Sequence, residues 1–329
     1  MPPLAPPPAA GAPAAPAAPR AAEVVRRLEL TLGRRVDGLL HGRHLGRMPG
    51  LGSEPAESRR YVPGDDPRRM DWNVTARTTV PHVRDAVAER EATSWLVVDL
   101  SPSTDFGTAR CTKRDLVVAA AGALVVLASR AGDRVGAHVL THEGVATFPP
   151  RAGADHARAL LDAVAHAPLP DRDPAVARPG PDLDHALDRA ARTAGRRGLV
   201  AVLSDFAGPG TWVPALRSLA ARHEVLAVEV LDPRELDLPD VGTVVVGDVE
   251  TGAVREVRTD DPVLRARYAA AARARRAATA RALRGCGADH LVLRTDGDPT
   301  AALVRWLAER PRRLAHLRRA AAGGAGGRP

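Results

Sequence analysis

From Trp95 onward, short continuous apolar runs alternate with stretches of helical period, and this alternation restricts the chain more than any other feature. The runs at Trp95–Asp99, Arg134–Thr141, Leu199–Ser204 and Val225–Leu231 have strand length; between them lie helical stretches at Lys113–Ala131, Asp155–Ala165, Leu183–Ala194 and Val213–Ala221. Strands that are apolar on both faces belong in a parallel sheet with helices on both sides. The expected fold is therefore α/β, with a doubly wound, mostly parallel sheet. A hairpin is expected over Val241–Val257 around Asp248–Gly252, then a long Ala/Arg helix at Pro262–Arg284, a short strand at His290–Leu293 and a last helix from about Pro299. At 329 residues the chain is long enough to bury such a core.

The segments outside this pattern differ in composition. Residues 1–22 are dominated by Pro and Ala, read as a disordered tail that leans toward polyproline II, with no basic stretch ahead of an apolar one as a signal peptide requires. Residues 23–92 form an N-terminal segment: a short helix at Ala22–Gly33, a Gly-rich loop at Gly38–Gly52 and a polar stretch from Glu54 to Glu91 with a turn at Pro63-Gly64. Residues 93–309 carry the α/β domain, and residues 310–329 are a basic, Gly-rich tail.

Charge says little about partners. Of 47 basic residues all but Lys113 are arginine, as GC-rich coding produces. The net charge is +8, and six arginines without an acid fall in residues 310–329, which leaves about +2 for the rest. That is little for a protein that tracks phosphates, and the seven arginines of Pro262–Arg284 read as a solvated helix face, so nucleic acid is not an expected partner. Cys111 and Cys286 stand far apart without CxxC spacing, which fits a reducing cytoplasm and neither a disulfide framework nor a zinc site. His41 and His44 lack a second ligand cluster nearby in sequence. The longest apolar run, Leu116–Ser129, is shorter than a membrane span.

In an open parallel sheet, ligands collect outside the carboxyl ends of the strands. Asp99 ends the first strand and Asp205 follows the Leu199–Ser204 strand, so both acids fall on that edge. Asp99, Ser101 and Ser103 place a carboxylate and two hydroxyls two residues apart along one loop, which supplies one side of the oxygen shell of a small hard cation. Ser and Asp are also helix-capping residues, so the same triplet has a purely structural reading. The D-x-S-x-S run with Asp205 in Ser204-Asp205-Phe206 resembles the metal-ion-dependent adhesion site of von Willebrand factor A (vWA) domains, a Rossmann-like fold. That resemblance implies Mg²⁺ or Mn²⁺ at Asp99, Ser101, Ser103 and Asp205. It departs at Gly180-Pro181-Asp182-Leu183, where related chains carry Thr in place of Pro181; Asp182 through a shifted loop, or a water, is left to fill the position, and a weakened or metal-free site is the other outcome.

Upstream, Arg60-Tyr61-Val62-Pro63-Gly64-Asp65-Asp66, then Arg69-Met70-Asp71-Trp72 and Ala76-Arg77, together with Gly42-Arg43-His44 and Gly50-Leu51-Gly52-Ser53-Glu54, resemble the signature of the DUF58 family. With Arg134-Val135-Gly136 and Ser204-Asp205-Phe206, the resemblance covers roughly residues 38–310; Pro55 replaces the usual aromatic after Glu54. Two readings of the signature stand. Either it is architecture, with Trp72 packed on the domain and Asp71 and Arg77 in a paired network that fixes the Tyr61–Asp66 loop, or it is part of a partner-docking face.

The DUF58 resemblance implies a non-enzymatic, vWA-like bacterial adaptor linked to MoxR-type AAA+ ATPases, acting in chaperone-like maturation or complex assembly. On this reading the partner is the ATPase or its client, and the partner's carboxylate completes the cation's shell. A metal-independent scaffold is the second reading. A phosphohydrolase with Asp99 as nucleophile is disfavoured because Ser101 stands where a second aspartate is wanted. G-x-S-x-G, G-x-x-x-x-G-K-[ST] and H-E-x-x-H motifs are absent from the sequence. Oligomeric state is not legible.

Overall fold

The computed structural model describes residues 54–62, 65–87, 92–169, 180–195, 197–208, 210–247, 254–303 and 305–306. Its centre is a six-stranded sheet built from β3 (Thr93–Asp99), β4 (Arg134–Thr141), β5 (Gly144–Arg151), β6 (Leu199–Ser204), β7 (Glu224–Leu231) and β10 (Asp289–Arg294), in the order β10-β7-β6-β3-β4-β5. Every pairing is parallel except that of β4 with β5. The doubly wound α/β expectation holds, with an antiparallel edge strand added.

Alternate residues of each strand face opposite layers, because the side-chain period of a strand is two. Leu96, Val98 and Leu100 join one core with Leu116, Val117 and Leu124 of the helix α2 (Lys113–Arg130) and with Leu160 and Leu161 of α3 (Ala154–Ala165). Trp95 and Val97 join the other with Leu183 and Leu187 of α4 (Leu183–Thr193), Leu216 and Leu219 of α5 (Val213–Arg222), and Leu283 near the end of α6 (Pro262–Gly285). Burial on both faces explains the unbroken apolar runs of β3 and β6. The chain is helical again at residues 299–303, where Leu303 and then Trp306 close the first core.

Four elements, the edge strand β5 and, upstream of β3, two strands with a short helix between them, were not expected from the sequence. Strand β5 contains Pro149 and Pro150 and is mostly half-buried or exposed, so it lacks both the composition and the burial of a sheet interior; proline is tolerated there because β5 is an edge. The ladder of β1 (Glu54–Arg60) with β2 (His82–Val87) lies in the stretch read only as polar, with α1 (Trp72–Thr78) between its strands. The expected hairpin is present as β8 (Thr243–Gly247) paired with β9 (Val254–Arg258), although its middle lies outside the described residues. So do the Ala22–Gly33 helix, the Gly38–Gly52 loop, both tails and the Pro63-Gly64 turn.

Gly136 shows how tightly the second layer is built. Trp95 stacks on His138 with ring centroids 4.9 Å apart and planes 4° apart, and a Cβ at Gly136 would sit 2.9 Å from the Trp95 ring. Burial, and then the nearby Arg189, push the His138 pKa down to about 4, so the imidazole is neutral and stacks without the cost of a buried charge. Gly136→Ala is expected to cost ~1–3 kcal/mol through overpacking, with a loss of near-UV circular dichroism from Trp95. Full stability with an unchanged near-UV spectrum would contradict it.

Candidate functional site

The sheet order defines where a site can form. From β3 the chain passes to β4 on one side and later returns to β6 on the other, so the connections diverge at the carboxyl ends of β3 and β6, the place where open sheets bind ligands. Val98 pairs with Leu203, which puts Asp99 level with Ser204. Ser204 Oγ donates to Asp99 Oδ2 at 2.6 Å, and the backbone N–H of Ser101 donates to Asp99 Oδ1 at 3.0 Å. Asp99 is 3% exposed. Burial first, and the charge of Asp205 second, raise its pKa to about 6 against the hydrogen bonds from Ser101 and Ser204 that favour the ionised form.

The hydroxyls of Ser101 and Ser103 lie 3.2 Å apart, half-buried on a 3-10 turn (Pro102–Asp105) pinned by Thr104 Oγ1 donating to Ser101 O at 2.7 Å. Neighbouring ligands of an octahedral ion with ~2.1 Å bonds sit ~3 Å apart, so the two hydroxyls have the spacing of adjacent ligands. On the opposite side, Phe206 adopts φ +50, a strained conformation for a bulky residue, held by its N–H donating to Ser204 Oγ at 2.9 Å and by edge packing on Trp212. This turn leaves the Asp205 carboxylate at the edge.

Asp205 has a partner that sequence reasoning missed. Its Oδ2 accepts from Lys113 Nζ at 2.8 Å, and its Oδ1 from the N–H of Ala207 at 3.0 Å. Lys113 also donates to Glu235 Oε1 at 2.7 Å. The lysine side chain is 2% exposed, Asp205 5% and Glu235 25%. Burial alone would lower the Lys113 pKa, but the carboxylates of Asp205 and Glu235 outweigh it and hold it above the ordinary lysine value. A capping box places Lys113: Thr112 Oγ1 accepts the Asp115 N–H at 3.1 Å while Asp115 Oδ2 accepts the Thr112 N–H at 2.9 Å, which starts α2 at Lys113 beside the strand ends. The available signal was its being the sole lysine among 47 basic residues. Glu235 carried no signal.

A third acid organises the same edge. Asp232, fully buried at the end of β7, accepts from Thr108 N–H at 2.8 Å, Thr108 Oγ1 at 2.6 Å and Thr295 Oγ1 at 2.6 Å, tying the loop before α2 to the ends of β7 and β10. Burial works to raise its pKa, but these bonds prevail and lower it, so Asp232 is a structural anion. Pro181 is half-buried, and Asp182 is exposed at the N-cap position of α4 without a side-chain capping bond.

The donor chemistry fits a hard divalent cation: a buried carboxylate, two hydroxyls at ligand spacing, and three acids (Asp99, Asp205, Glu235) against one ammonium. Asp99, Ser101 and Ser103 are the residues that would hold it, with Asp205 beside them. No group of three or more His, Cys, Asp or Glu suited to a metal occurs among the described residues, so any such site draws on hydroxyl ligands.

In the DUF58 signature the expected Asp71–Arg77 pair is not formed. Asp71 is 6% exposed and caps α1, accepting from the N–H groups of Asn73 at 3.1 Å and Val74 at 3.2 Å and from Ser58 Oγ at 2.6 Å. Arg77 is exposed in the last turn of α1, and no Asp71–Arg77 ion pair exists among the described residues. The helix N-terminus offers N–H donors that have no intrahelical partner, and Asp71 stands where it can accept them, whereas Arg77 lies further along the helix. Trp72, at the first helical position of α1, is 68% exposed and does not pack on the domain as one reading expected. At the start of the Tyr61–Asp66 loop, Tyr61 N–H donates across to Pro81 O, just ahead of β2, at 2.9 Å, and Val62 N–H donates to Asp65 Oδ2 at 2.8 Å. Asp66 accepts the Arg68 N–H at 3.0 Å, Arg60 is exposed, and Pro63 and Gly64 lie outside the described residues.

Fold and site together define an open α/β domain with an acid-and-hydroxyl edge at its switch point. The chain belongs to the DUF58 family: the family described as protein of unknown function DUF58 matches residues 57–278. It is 53% identical over 294 residues to "Uncharacterized protein Rv1480" of Mycobacterium tuberculosis (strain ATCC 25618 / H37Rv), covering 89% of this chain and 91% of that one. It is 48% identical over 164 residues to "Uncharacterized protein MAV169" of Mycobacterium avium, covering 50% of this chain and 94% of that one. Among solved structures it resembles the conserved hypothetical protein BatB from Bacteroides thetaiotaomicron at 17% identity and TM-score 0.41, over 67% of this chain and 99% of that one. A von Willebrand factor type A structure from Catenulispora acidiphila matches at 14% identity and TM-score 0.31, over 44% and 34%.

Two measurements test this geometry. Asp99 has its folded pKa above the ordinary 3.8, so the folded state takes up its proton first as pH falls below about 6. The cost of ionised Asp99 is full above that pH and fades toward pH 4. Asp99→Asn in EDTA is therefore expected to gain stability at pH 7.5, with a ceiling of ~3 kcal/mol, and to gain nothing at pH 4; equal effects at both pH values would contradict the shift. In the N-terminal lobe, Asp71→Ala is expected to cost ~1–2 kcal/mol as a lost cap and to speed hydrogen exchange over residues 72–78, while Arg77→Ala leaves both unchanged.

Proposed function

We propose that the chain is a non-catalytic adaptor that docks a partner protein on the strand-end edge between Ser101 and Asp205. The observation that carries this reading is the pair of serine hydroxyls 3.2 Å apart beside a buried carboxylate at the switch point. Asp99 has both oxygens engaged by Ser101 and Ser204, which suits an orienting role better than that of a nucleophile. A divalent ion, when bound, offers an open coordination position to an oxygen ligand. Ser101 and Ser103 hold the exposed side of the edge, and Asp99 supplies the charge beneath them. The group recruited is a carboxylate of the partner. The family resemblance points to a MoxR-type AAA+ ATPase or its client as that partner, in chaperone-like maturation or complex assembly.

The site of action proposed is the cytoplasm: both cysteines are free, and no helix among the described residues is long and apolar enough to cross a membrane. A metal-independent scaffold is the second reading, favoured by the ammonium that Asp205 already binds.

The experiment is co-purification with the cognate ATPase, with and without EDTA, for wild type, Ser101→Ala/Ser103→Ala and Asp205→Ala. Loss of the complex on chelation and in the serine variant is the expected result. Retention by the serine variant but sensitivity to substitutions at Trp72 would move docking to the signature lobe. Association indifferent to EDTA but lost in the serine variant would select the metal-independent reading.

A further inference from the structure

Lys113 is a built feature of the edge with no part in the docking reading. The ammonium sits between two carboxylates, Asp205 at 2.8 Å and Glu235 at 2.7 Å, with its side chain 2% exposed. Asp205 is fixed from behind by the Ala207 N–H, and Glu235 by the Asp232 N–H, which donates to Glu235 Oε2 at 2.9 Å. The Phe106 ring centroid lies 5.9 Å from Nζ, and the Lys113 N–H donates to Phe106 O at 2.8 Å, so the backbone at the root of the side chain is held as well. Nothing in this arrangement is a loose surface pair.

We propose that Lys113 is a resident counter-ion that holds the strand-end edge in a low-affinity state for divalent cations by occupying the Asp205 carboxylate. The proposal rests on the reading of Asp99, Ser101 and Ser103 as a cation site. A divalent ion held by those three groups draws on the negative potential of Asp205, which Lys113 already offsets at contact distance. Two cations near one carboxylate also repel each other in a poorly screened site. Pro181 weakens the edge further, because it brings no side-chain oxygen where the resemblance implies a hydroxyl.

Removing the ammonium reverses this balance. Without Lys113, Asp205 and Glu235 remain as buried or half-buried acids with no counter-charge, an arrangement that is unstable until a cation binds. The variant is therefore expected to be less stable in EDTA and to be rescued by metal, since a ligand that binds only the folded state raises stability with its concentration.

The test is a titration of the full chain with MnCl2, read by calorimetry and by melting temperature, for wild type, Lys113→Met and Lys113→Met/Asp205→Asn. Wild type is expected to bind weakly or undetectably, Lys113→Met at least tenfold more tightly with a melting temperature that climbs with Mn²⁺, and the double variant to lose that gain. Should Lys113→Met not fold, Lys113→Gln carries the same expectation, because it removes the charge but keeps hydrogen-bond donors for both carboxylates. Binding by the charge-removed variant that is equal to or weaker than wild type, or a gain that survives loss of Asp205, overturns the proposal. Neither outcome depends on the ATPase, so a failed partner assay leaves this result standing and the reverse.

Discussion

The parallel pairing of β3 with β6 is the constraint on which the functional edge depends. It sets Asp99 level with Ser204, and the 2.6 Å hydrogen bond between them locks the two strand ends that bracket the switch point. A slip of one residue would turn Asp99 to the other face of the sheet, because the side-chain period is two. The packing on the two faces of β3 opposes that slip, since it would also exchange Leu96 and Val98 with Trp95 and Val97 between two separate cores. The site thus inherits its geometry from core packing, and its loops only finish it.

What the loops add is charge balance. Three buried or half-buried acids and Asp232 converge on one end of the sheet, and each is answered differently: Asp99 by hydroxyl and backbone donors at the cost of a raised pKa, Asp232 by two threonines, Asp205 and Glu235 by a shared ammonium. Such a concentration of acids in low dielectric survives only if each has a partner.

The sheet was legible because its period and its length agree: strands at Arg134–Thr141 and Leu199–Ser204 and the helix at Pro262 onward fall where apolar spacing puts them. Strand β5 was not legible, because an edge needs no unbroken apolar run and Pro149-Pro150 reads as a break. Asp99 and Asp205 stood out as acids that follow apolar strands. Lys113 and Glu235 did not, because the contact between them spans 122 residues of sequence and depends on how the loop after β7 folds back. The Asp71 cap was masked by the surrounding arginines, which drew attention to ion pairs and away from the helix end whose N–H groups Asp71 accepts.

The choice of lysine at position 113 has a physical reason in a chain that otherwise uses arginine. A guanidinium is planar, spreads its charge over three nitrogens and needs a flat, two-pronged acceptor, whereas an ammonium is a compact point charge with three donors disposed around one atom. The acceptors at Nζ are one oxygen from Asp205 and one from Glu235, on different loops, each with its second oxygen held elsewhere. No bidentate carboxylate is available there, so arginine would bury a larger cation against single oxygens and leave other N–H groups without partners. At the one position where the chain departs from arginine, the geometry favours a point charge, which marks Lys113 as part of the edge's chemistry and not of its solvated surface.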